Sequence, residues 1–508
     1  MEIEAVGDRA LLVYVGHLDA VHRLWRLLRA NPPPGTEEIV AGAETVLVIM
    51  RGASDVSAAV APITSTPAAA NETLKPNRFE IPVAYGGFDT GDVSAIGHLT
   101  SEDVARRHSE VEYKVAFLGF SPGFAYLAGG DPALRVPRLA TPRTSVPAGS
   151  VALASEFTAV YPQSTPGGWR IIGRTDVSMF DPSCPEPALL SPGDLVRFQP
   201  VDEVGPPPGW RSPAQPSERD RYVRVLEAGP LATIQDDGRI GWAHVGVPRA
   251  GVADRRSARL ANRLVGNDPS APLLEATLSG PNLRMGCDRA VAVTGARAVV
   301  TVDGMPARLD TALQLRSGSE LRIGRYDAGA RIYVAFSGGI AMDPVLGSAS
   351  TDTLSWLGPP PLQDGDQLAL GDDHGARPVG PSGDREPTPV PRPGEVITIP
   401  ARRGPGDKRV GEAGLEALGN SVFDVAATSD RTGVRLSGPL VSVDVRDELP
   451  SQGMLAGAVQ LPPNGSPIVL LRNHPTTGGY PVAAIVTDDG VDRLAQCRPG
   501  VRIRFALQ

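Results

Sequence analysis

One ordered set of short motifs recurs along the chain and constrains the fold more than any other feature. Residues 146–199 contain VPAGSVAL, STPGGW and SPGDLVRF, and residues 461–505 contain LPPNGSPIVL, PTTGGYP and RPGVRIRF in the same order. A fainter third copy runs from SGGI at 337–340 to DGDQLAL at 364–370. Because the copies lie more than a hundred residues apart, the repeated unit is a whole domain and not a solenoid repeat. The pattern predicts related β-rich modules that arose by duplication.

The composition is typical of several short-stranded domains in one globular chain. Its 508 residues are enough for roughly three or four domains, and the 57 glycines and 50 prolines are spread along it, as tight turns require. A net charge of −8 gives no electrostatic reason to expect nucleic acid or an anionic membrane as partner. Three scattered cysteines support neither a disulfide framework nor a metal site. With an acidic N-terminus, no signal core and no long apolar run, we expect a cytoplasmic protein.

Stretches rich in Pro and Gly divide the chain into four predicted modules. Apolar residues from Leu18 to Leu28 at helical spacing, between strand-like runs, predict a small α+β module that a polar stretch, Ser54–Pro76, connects to the next module. Later helices are predicted near Ser101–His108 and at Arg255–Val265, the latter with Asp254 as N-cap. The predicted boundaries are 1–75, 76–204, a linker at 205–220, 221–375, a break at 376–394, and 395–508.

Glycine-rich strings supply the candidate binding residues. FLGFSPGFAYL at 117–127 is interpreted as a bulged strand whose phenylalanines enter the core, with a cleft-lining loop as the alternative. TPGGW and TTGGYP are interpreted as hairpin turns, with anion binding through backbone N–H groups as the alternative. The candidate substrate- or nucleotide-binding residues are Phe120, Pro122, Gly123, Phe124, Arg138, Arg143, Gln163, Gly167, Gly168, Trp169, Arg174, Asp430, Arg431, Thr477, Gly478, Gly479 and Tyr480.

Candidate catalytic groups come from two other polar regions. The string TIQDDGRIGWAHVGVPRAG at 233–251 is either a solvated loop or a loop that brings polar side chains to a substrate, namely Gln235, Asp236, Arg239 and His244. His474 is the histidine best placed for acid/base work, although a histidine beside a turn is more often structural. Glu275 and Glu448 both lie near glycine-rich turns, and either is a candidate general base.

Two familiar cofactor sites are missing from the sequence. None of the three lysines stands in the Gly-Lys-Ser/Thr string of a phosphate-binding loop, and none lies between methionines as a biotinylated lysine does. We therefore expect no covalent biotin in this chain. ATP, if used, needs an unfamiliar site or one supplied by a partner.

At its longest motifs the chain resembles two protein families. YKVAFLGFSPGFAYL, YPQSTPGGWRIIGRT and SPGDLVRF are similar to the KipI family, also called the 5-oxoprolinase B subunit or allophanate hydrolase subunit 1. GPLATIQDDGRIGWAHVGVPRAGVAD, LEATLSGP, SDRTGVRLSG and HPTTGGYP are similar to the KipA family, the 5-oxoprolinase C subunit or allophanate hydrolase subunit 2. The two resemblances cover nearly the whole chain in tandem. They imply a mainly β protein with α+β parts, in which tandem cyclophilin-like β-barrels follow the small N-terminal α+β module.

The resemblance implies three functions. The first is the fused B and C components of an ATP-dependent 5-oxoprolinase, which opens 5-oxo-L-proline to L-glutamate with a LamB/YcsF-type subunit. The second is a carboxyltransferase component of a urea carboxylase or allophanate hydrolase system, which needs a biotin carrier protein and a urea-like substrate. The third, a histidine-kinase regulator, ranks last because a fusion of an inhibitor with its antagonist makes a poor switch. A homo-oligomer is compatible with all three.

The matching loops of the two halves predict where the site lies. We expect a cleft between the two halves, lined by residues 117–127, 163–174, 233–251 and 473–480, because pockets favour domain interfaces. The arginines expected to bind phosphate there are Arg138, Arg143, Arg174 and Arg239. The chain departs from its relatives at 449–453 (LPSQG, where they often have Ser-Glu-Gly) and at Asn473, where they often have Asp. Glu448 is the expected substitute for the first missing carboxylate.

Overall fold

The N-terminal module is a four-stranded antiparallel sheet covered by two helices. The computed structural model describes residues 1–65, 76–207, 209–210, 221–373, 386–444 and 449–508. In the first module the sheet order is β1-β2-β4-β3. Its elements are β1 (Glu2–Val6), β2 (Ala10–Tyr14), α1 (Leu18–Ala30), β3 (Thr36–Ala41), β4 (Thr45–Met50) and α2 (Ala53–Ser65).

Helix α2 occupies the first part of the stretch that was predicted to be a polar connection. That interpretation is wrong for Ala53–Ser65, where Val56, Ala59 and Ile63 form a buried face at helical spacing. The alanines and Pro62 obscured this face in the sequence, because a proline inside a helix usually interrupts it.

The second module is a closed seven-stranded barrel. Its strand order is β10-β7-β6-β13-β5-β12-β9, and strands β8 and β11 pair beside it as a separate arm. Its elements are β5 (Arg78–Tyr85), α3 (Thr90–Gly97), α4 (Ser101–Ser109), β6 (Glu112–Leu118), β7 (Ala125–Ala128), β8 (Arg143–Val146), β9 (Ser150–Ala154), β10 (Phe157–Val160), β11 (Thr165–Gly167), β12 (Arg170–Arg174) and β13 (Leu195–Pro200).

The third module is built on a nine-stranded antiparallel sheet. Helix α5 packs on it, with the Asp254 side chain accepting a hydrogen bond from Ser257 N as the predicted cap. Its elements are β14 (Tyr222–Glu227), β15 (Leu231–Gln235), α5 (Arg255–Leu264), β16 (Leu273–Thr277), β17 (Asn282–Met285), β18 (Arg289–Val302), β19 (Met305–Ala307), β20 (Ala312–Leu315), β21 (Glu320–Phe336) and β22 (Gln367–Ala369).

The last module is a second closed barrel. Its strand order is β23-β30-β27-β28-β25-β24-β31, with β26 and β29 as a separate arm. Its elements are β23 (Val396–Arg403), α6 (Asp407–Asn420), β24 (Phe423–Val425), β25 (Gly433–Ser437), β26 (Gln452–Gly453), β27 (Ala458–Gln460), β28 (Ile468–Leu470), β29 (Thr477–Gly478), β30 (Val482–Val486), α7 (Asp488–Ala495) and β31 (Arg502–Leu507).

The two barrels share one topology, which confirms the duplication predicted for them. In each, the first and last strands pair in parallel, β5 with β13 and β23 with β31, while the other pairs are antiparallel. The Thr-x-Gly-Gly motifs fall on the equivalent arms, at β11 and β29. The third module differs, because its first and last strands pair antiparallel and its sheet does not close. The predicted third copy therefore lies in a module that does not share the barrel topology.

The N-terminal module packs against both barrels. Apolar side chains of α1 and its sheet share a core with Phe117 and Phe124 of the first barrel. The other face of the sheet, including Leu12 and Leu47, packs on Met454 of the second barrel. This module therefore fixes how the barrels face each other. In the described part of the chain, no helix is long and apolar enough to span a membrane.

Candidate functional site

A cleft of about 720 Å³ lies where the N-terminal module and the two barrels meet. The β3–β4 turn and residues 16–18 form one wall, the first barrel forms the second, and residues 449–451 and 475–480 form the third. A cleft between the halves was predicted, and two of its four predicted loops, 117–127 and 473–480, line it. Loops 163–174 and 233–251 do not line it; the N-terminal module takes their place.

The two motif loops that line the cleft contact each other directly. A methyl group built on Gly119 would lie 2.8 Å from both Cβ and Cγ2 of Thr477, and closer still to Oγ1. Beside it, Phe120 has a φ of 65°, a left-handed conformation that is costly for a phenylalanine. Hydrogen bonds hold the loop, including one of 2.8 Å from Gly123 N to Val245 O of the third module. The loop is thus part of the junction between the halves.

The phenylalanines of this loop have different environments. Phe124 is buried among Tyr126, Tyr161 and Trp169, as the core interpretation predicted. Phe120 is only half-buried and faces the cleft, as the alternative interpretation predicted. Residues 117–127 therefore contribute side chains both to the core and to the wall of the cleft.

Two exposed glutamates missed in the sequence lie at the cleft. Glu44 lies in the β3–β4 turn, and Glu156 lies in the β9–β10 turn, where Ser155 has a φ of 50°. Arg138 lines the same cleft, and the rings of Tyr126 and Phe157 supply apolar wall. Carboxylates beside a cation and an aromatic wall suit a small polar substrate that requires proton transfer. In the sequence, AGAET at 41–45 and LASEF at 153–157 each form a short turn between strand-like runs, and this pattern could have identified the two glutamates.

Six of the predicted binding residues line the cleft, and the others lie elsewhere. The six are Phe120, Arg138, Thr477, Gly478, Gly479 and Tyr480. Pro122, Gly123 and Phe124 belong to the junction loop and the core behind it. Gln163, Gly167, Gly168 and Trp169 belong to the β11 arm, where Trp169 is buried and Gln163 Nε2 has no hydrogen-bond partner among the described residues.

The buried Gln235 and Arg239 and the half-buried Asp236 form a hydrogen-bonded cluster away from the cleft. The Asp236 carboxylate accepts hydrogen bonds from the Ser348 and Ser350 hydroxyls and from two backbone N–H groups. Gln235 donates to Thr351 O at 3.0 Å, and Arg239 donates to Ser350 O at 2.7 Å. These groups hold residues 348–351 against β15, and none of them lines the cleft.

The four arginines expected to bind phosphate do not come together. Arg138 lines the cleft, whereas Arg143 is engaged by Asp89 at 2.6 Å. Arg174 is exposed at the end of β12, and Arg239 is fully buried in the third module. In the sequence these arginines lie near glycine-containing turns. The sequence does not show the direction in which each turn places its arginine in the fold.

Asp430 and Arg431 join the third module to the second barrel. The Asp430 carboxylate accepts from Thr432 N at 2.7 Å and so shapes the turn. Arg431, 3% exposed, forms an ion pair with the buried Glu275 and donates to Gly251 O at 2.5 Å. Burial lowers the pKa of Arg431 to about 10, so it remains charged at neutral pH. This pair is a buried connection and does not line the cleft.

The departures from the resembling families have different structural outcomes. Glu448 lies outside the described residues. Ser451 lines the cleft, and its carbonyl accepts a 2.8 Å hydrogen bond from Ala43 N. The Asn473 amide donates at 2.7 Å to the buried Asp352, so an aspartate in its place would set two carboxylates against each other.

A second cavity of about 60 Å³ lies beside the cleft and is lined by both basic and acidic side chains. The lining includes Arg9, Arg249, Arg255, Arg472 and His474, together with Asp8, Glu38 and Asp488. His474 and Thr476 face this cavity while Pro475 and Thr477 line the cleft, so one segment separates the two. Burial lowers the pKa of His474 to about 4, which leaves it neutral at neutral pH. Its predicted acid/base role stays a prediction, at this cavity and not at the cleft.

Glu38 lies at the same cavity and has an unusual titration. Its carboxylate accepts from Gly241 N at 2.6 Å and from Ala243 N at 3.1 Å, which ties the N-terminal sheet to the third module. Burial outweighs these hydrogen bonds and raises the pKa of Glu38 to about 7. No group of His, Cys, Asp and Glu among the described residues is arranged to hold a metal ion.

Comparison with known proteins identifies the family. The model for the carboxyltransferase domain, subdomains A and B, matches residues 245–507, and that for subdomains C and D matches residues 1–190. The chain belongs to this carboxyltransferase-domain family. The match to subdomains C and D covers the N-terminal module and most of the first barrel, and the match to A and B covers the later modules.

Single relatives match each half of the chain. The 5-oxoprolinase C subunit of Escherichia coli K12 is 35% identical over 289 residues, which is 56% of this chain and 90% of the relative. The 5-oxoprolinase B subunit of Escherichia coli O157:H7 is 43% identical over 187 residues, 36% of this chain and 86% of the relative. A crystal structure of the protein TTHA0988 covers 98% of this chain and 99% of its own, with 35% identity and a TM-score of 0.87. The fused arrangement therefore also occurs in a solved structure.

Urea amidolyases match less of their own length. The Saccharomyces cerevisiae urea amidolyase is 30% identical over 309 residues, which is 56% of this chain but 16% of that protein. The Kluyveromyces lactis urea amidolyase structure, at 23% identity and a TM-score of 0.52, shares the fold.

Proposed function

We propose that the chain is the fused B and C component of an ATP-dependent 5-oxoprolinase, which hydrolyses 5-oxo-L-proline to L-glutamate. One observation carries the proposal: relatives named as the B and C subunits of 5-oxoprolinase match the two halves side by side, and a cleft of about 720 Å³ lies where those halves meet. A fusion keeps the two subunits in the fixed orientation that a shared site requires.

The chemistry assigns distinct tasks to this chain and to a partner. Lactam opening is uphill near neutrality, so ATP must activate the amide carbonyl before water attacks. The sequence lacks a lysine-based phosphate loop, and we infer that a LamB/YcsF-type protein binds ATP or completes its site. In the cleft, Arg138 is the candidate partner of the substrate carboxylate, and Glu44 and Glu156 are the candidate bases that orient water.

The test measures 5-oxoproline-dependent ATP hydrolysis by the chain assembled with its natural partners. Glu44→Gln and Glu156→Gln each remove one carboxylate without changing its size, and Glu416→Gln, exposed on α6 away from the cleft, is the matched control. We expect one cleft variant to lose about 10²- to 10⁴-fold in turnover, the usual contribution of a positioned base. Full activity in both cleft variants would show that neither glutamate is the base and that the reaction takes place at another site.

A second candidate function is carboxyl transfer from a biotin carrier to a urea-like nitrogen. The family's own description and the match to urea amidolyases favour it. It requires a separate biotinylated protein, since no lysine here lies between methionines. Carboxylation of urea by the chain with a carboxybiotin carrier, in the absence of 5-oxoproline, would favour this function over the first.

A further inference from the structure

The small cavity behind residues 474–477 contains four arginines drawn from distant parts of the chain. Arg9 comes from the N-terminal module, Arg249 and Arg255 from the third module, and Arg472 from the second barrel. At about 60 Å³, the cavity exceeds the ~10–15 Å³ that a single water needs and has room for a few heavy atoms. It is too small for a nucleotide and suits an ion of a few heavy atoms.

Three of these arginines are neutralised by carboxylates. Arg9 donates to both Asp488 oxygens, at 2.9 and 2.7 Å, and also to Glu37 at 3.1 Å. Arg249 donates to the same Glu37 at 2.8 Å. Arg472, 3% exposed, donates to Asp492 at 2.7 Å. Each of these cations therefore has an acceptor supplied by the protein.

Arg255 lacks such a partner. Within the described part of the chain, its guanidinium makes neither a hydrogen bond nor an ion pair, and its Nε is buried and unpaired. Burial, and then the neighbouring Arg472 and Arg249, lower the pKa of Arg255 well below its ordinary value, and the carboxylate of Asp488 opposes them only in part. A guanidinium that has neighbouring cations and makes no hydrogen bond is costly, and a bound anion would offset that cost.

His474 adds a complementary group. Its Nδ1 lies 2.8 Å from Pro475 O, a carbonyl that can only accept, so Nδ1 carries the proton. The neutral ring then has its lone pair on Nε2. A hydrogen-bond acceptor beside unpaired arginine donors suits an oxyanion that still carries a proton, such as hydrogen phosphate or bicarbonate.

We propose that this cavity is a binding site for one small oxyanion, with Arg255 as its principal counter-charge. Arg9 Nε and Arg472 Nε are also buried without a hydrogen-bond partner among the described residues, so further donors are available nearby. Phosphate and bicarbonate share the required chemistry: a compact anion with several acceptor oxygens and one proton. Bound there, the ion would support the segment 474–477, whose other side lines the cleft.

The test is binding of phosphate and of bicarbonate to the purified full chain, by titration calorimetry and thermal unfolding at constant ionic strength. Arg255→Gln removes the unpaired charge. Arg256→Gln, its neighbour in α5, is the matched control, because Arg256 donates to Glu386 O and does not line the cavity. We expect saturable binding to the unmodified chain and to R256Q, and at least tenfold weaker binding to R255Q.

The unfolding temperature shows whether a variant binds the anion weakly because the site is changed or because the protein is less stable. Without either anion, R255Q should unfold at the same temperature as the unmodified chain or higher, because the variant removes a guanidinium that makes no hydrogen bond to the described residues. If R255Q does not fold, Arg255→Lys serves in its place and should bind more weakly than the unmodified chain. Saturable binding of either anion that is lost or weakened in the residue-255 variants supports the site. The anion that binds more tightly is then the better candidate for its ligand.

Absence of saturable binding of both anions, or equal binding by R255Q and the unmodified chain, would overturn the proposal. No turnover is measured, so this result is independent of whether the chain is a 5-oxoprolinase component.

Discussion

Gly119→Ala tests whether the two motif loops form the junction at the cleft. The added methyl would lie 2.8 Å from Thr477 Cβ and Cγ2, where ordinary contact begins near 3.4 Å. Rotation of the threonine does not relieve the overlap, because Cβ stays in place in every rotamer. Overpacking of this kind costs about 1–3 kcal/mol, so local opening of the junction should become about 5- to 150-fold more frequent.

Hydrogen exchange read by mass spectrometry locates the effect. Peptides covering 117–124 and 474–480 should lose protection together, although hundreds of residues separate them in sequence. Gly91→Ala is the matched control, since nothing lies within 4 Å of a methyl on Gly91, which is in helix α3. Thr477→Gly combined with Gly119→Ala should recover part of the loss. Protection that changes in only one of the two segments would refute the direct contact between the loops.

Two further predictions concern the connections between modules. Glu38 has a pKa raised by burial from 4.5 to about 7, so the folded state holds an extra proton between these values and stability falls as pH rises through that window. Glu38→Gln should remove about 3 kcal/mol of that pH-dependent loss in denaturant titrations between pH 5 and 8; an unchanged pH slope would contradict it. Arg431→Gln leaves the buried Glu275 with only Arg331, at 3.6 Å, as a cationic partner, which should cost about 1–3 kcal/mol in the same titrations, whereas the exposed Arg435→Gln should cost less than about 0.5 kcal/mol. Equal losses of unfolding free energy in these two variants would show that the buried ion pair contributes no more to stability than an exposed arginine does.

Local chemistry made several elements predictable from the sequence. The Asp254 cap and the apolar spacing of α1 are signals within one turn of helix, and both helices occur where expected. The repeated Thr-x-Gly-Gly motifs likewise mark equivalent arms on two barrels of one topology. Helix α2 was missed because its three buried residues are separated by alanines and a proline.

The candidate site depended on information that a local pattern does not carry. Gln235 and Asp236 stand in a polar, glycine-rich string typical of a binding loop, yet their partners are Thr351 and the Ser348–Ser350 segment, over a hundred residues away. The arginines of the small cavity come from positions as distant as Arg9 and Arg472. The packing of the N-terminal module against the third module and the second barrel brings these arginines together.

Isotope-labelled 5-oxoproline, ATP and the chain recovered with its natural partners give the most direct test of the proposed function. We predict labelled glutamate in step with ADP formation, without bicarbonate or a biotin carrier, and loss of both products when the partners are removed. Failure to form glutamate with a LamB/YcsF-type partner present, or formation of a carboxylated product that requires biotin, would contradict it.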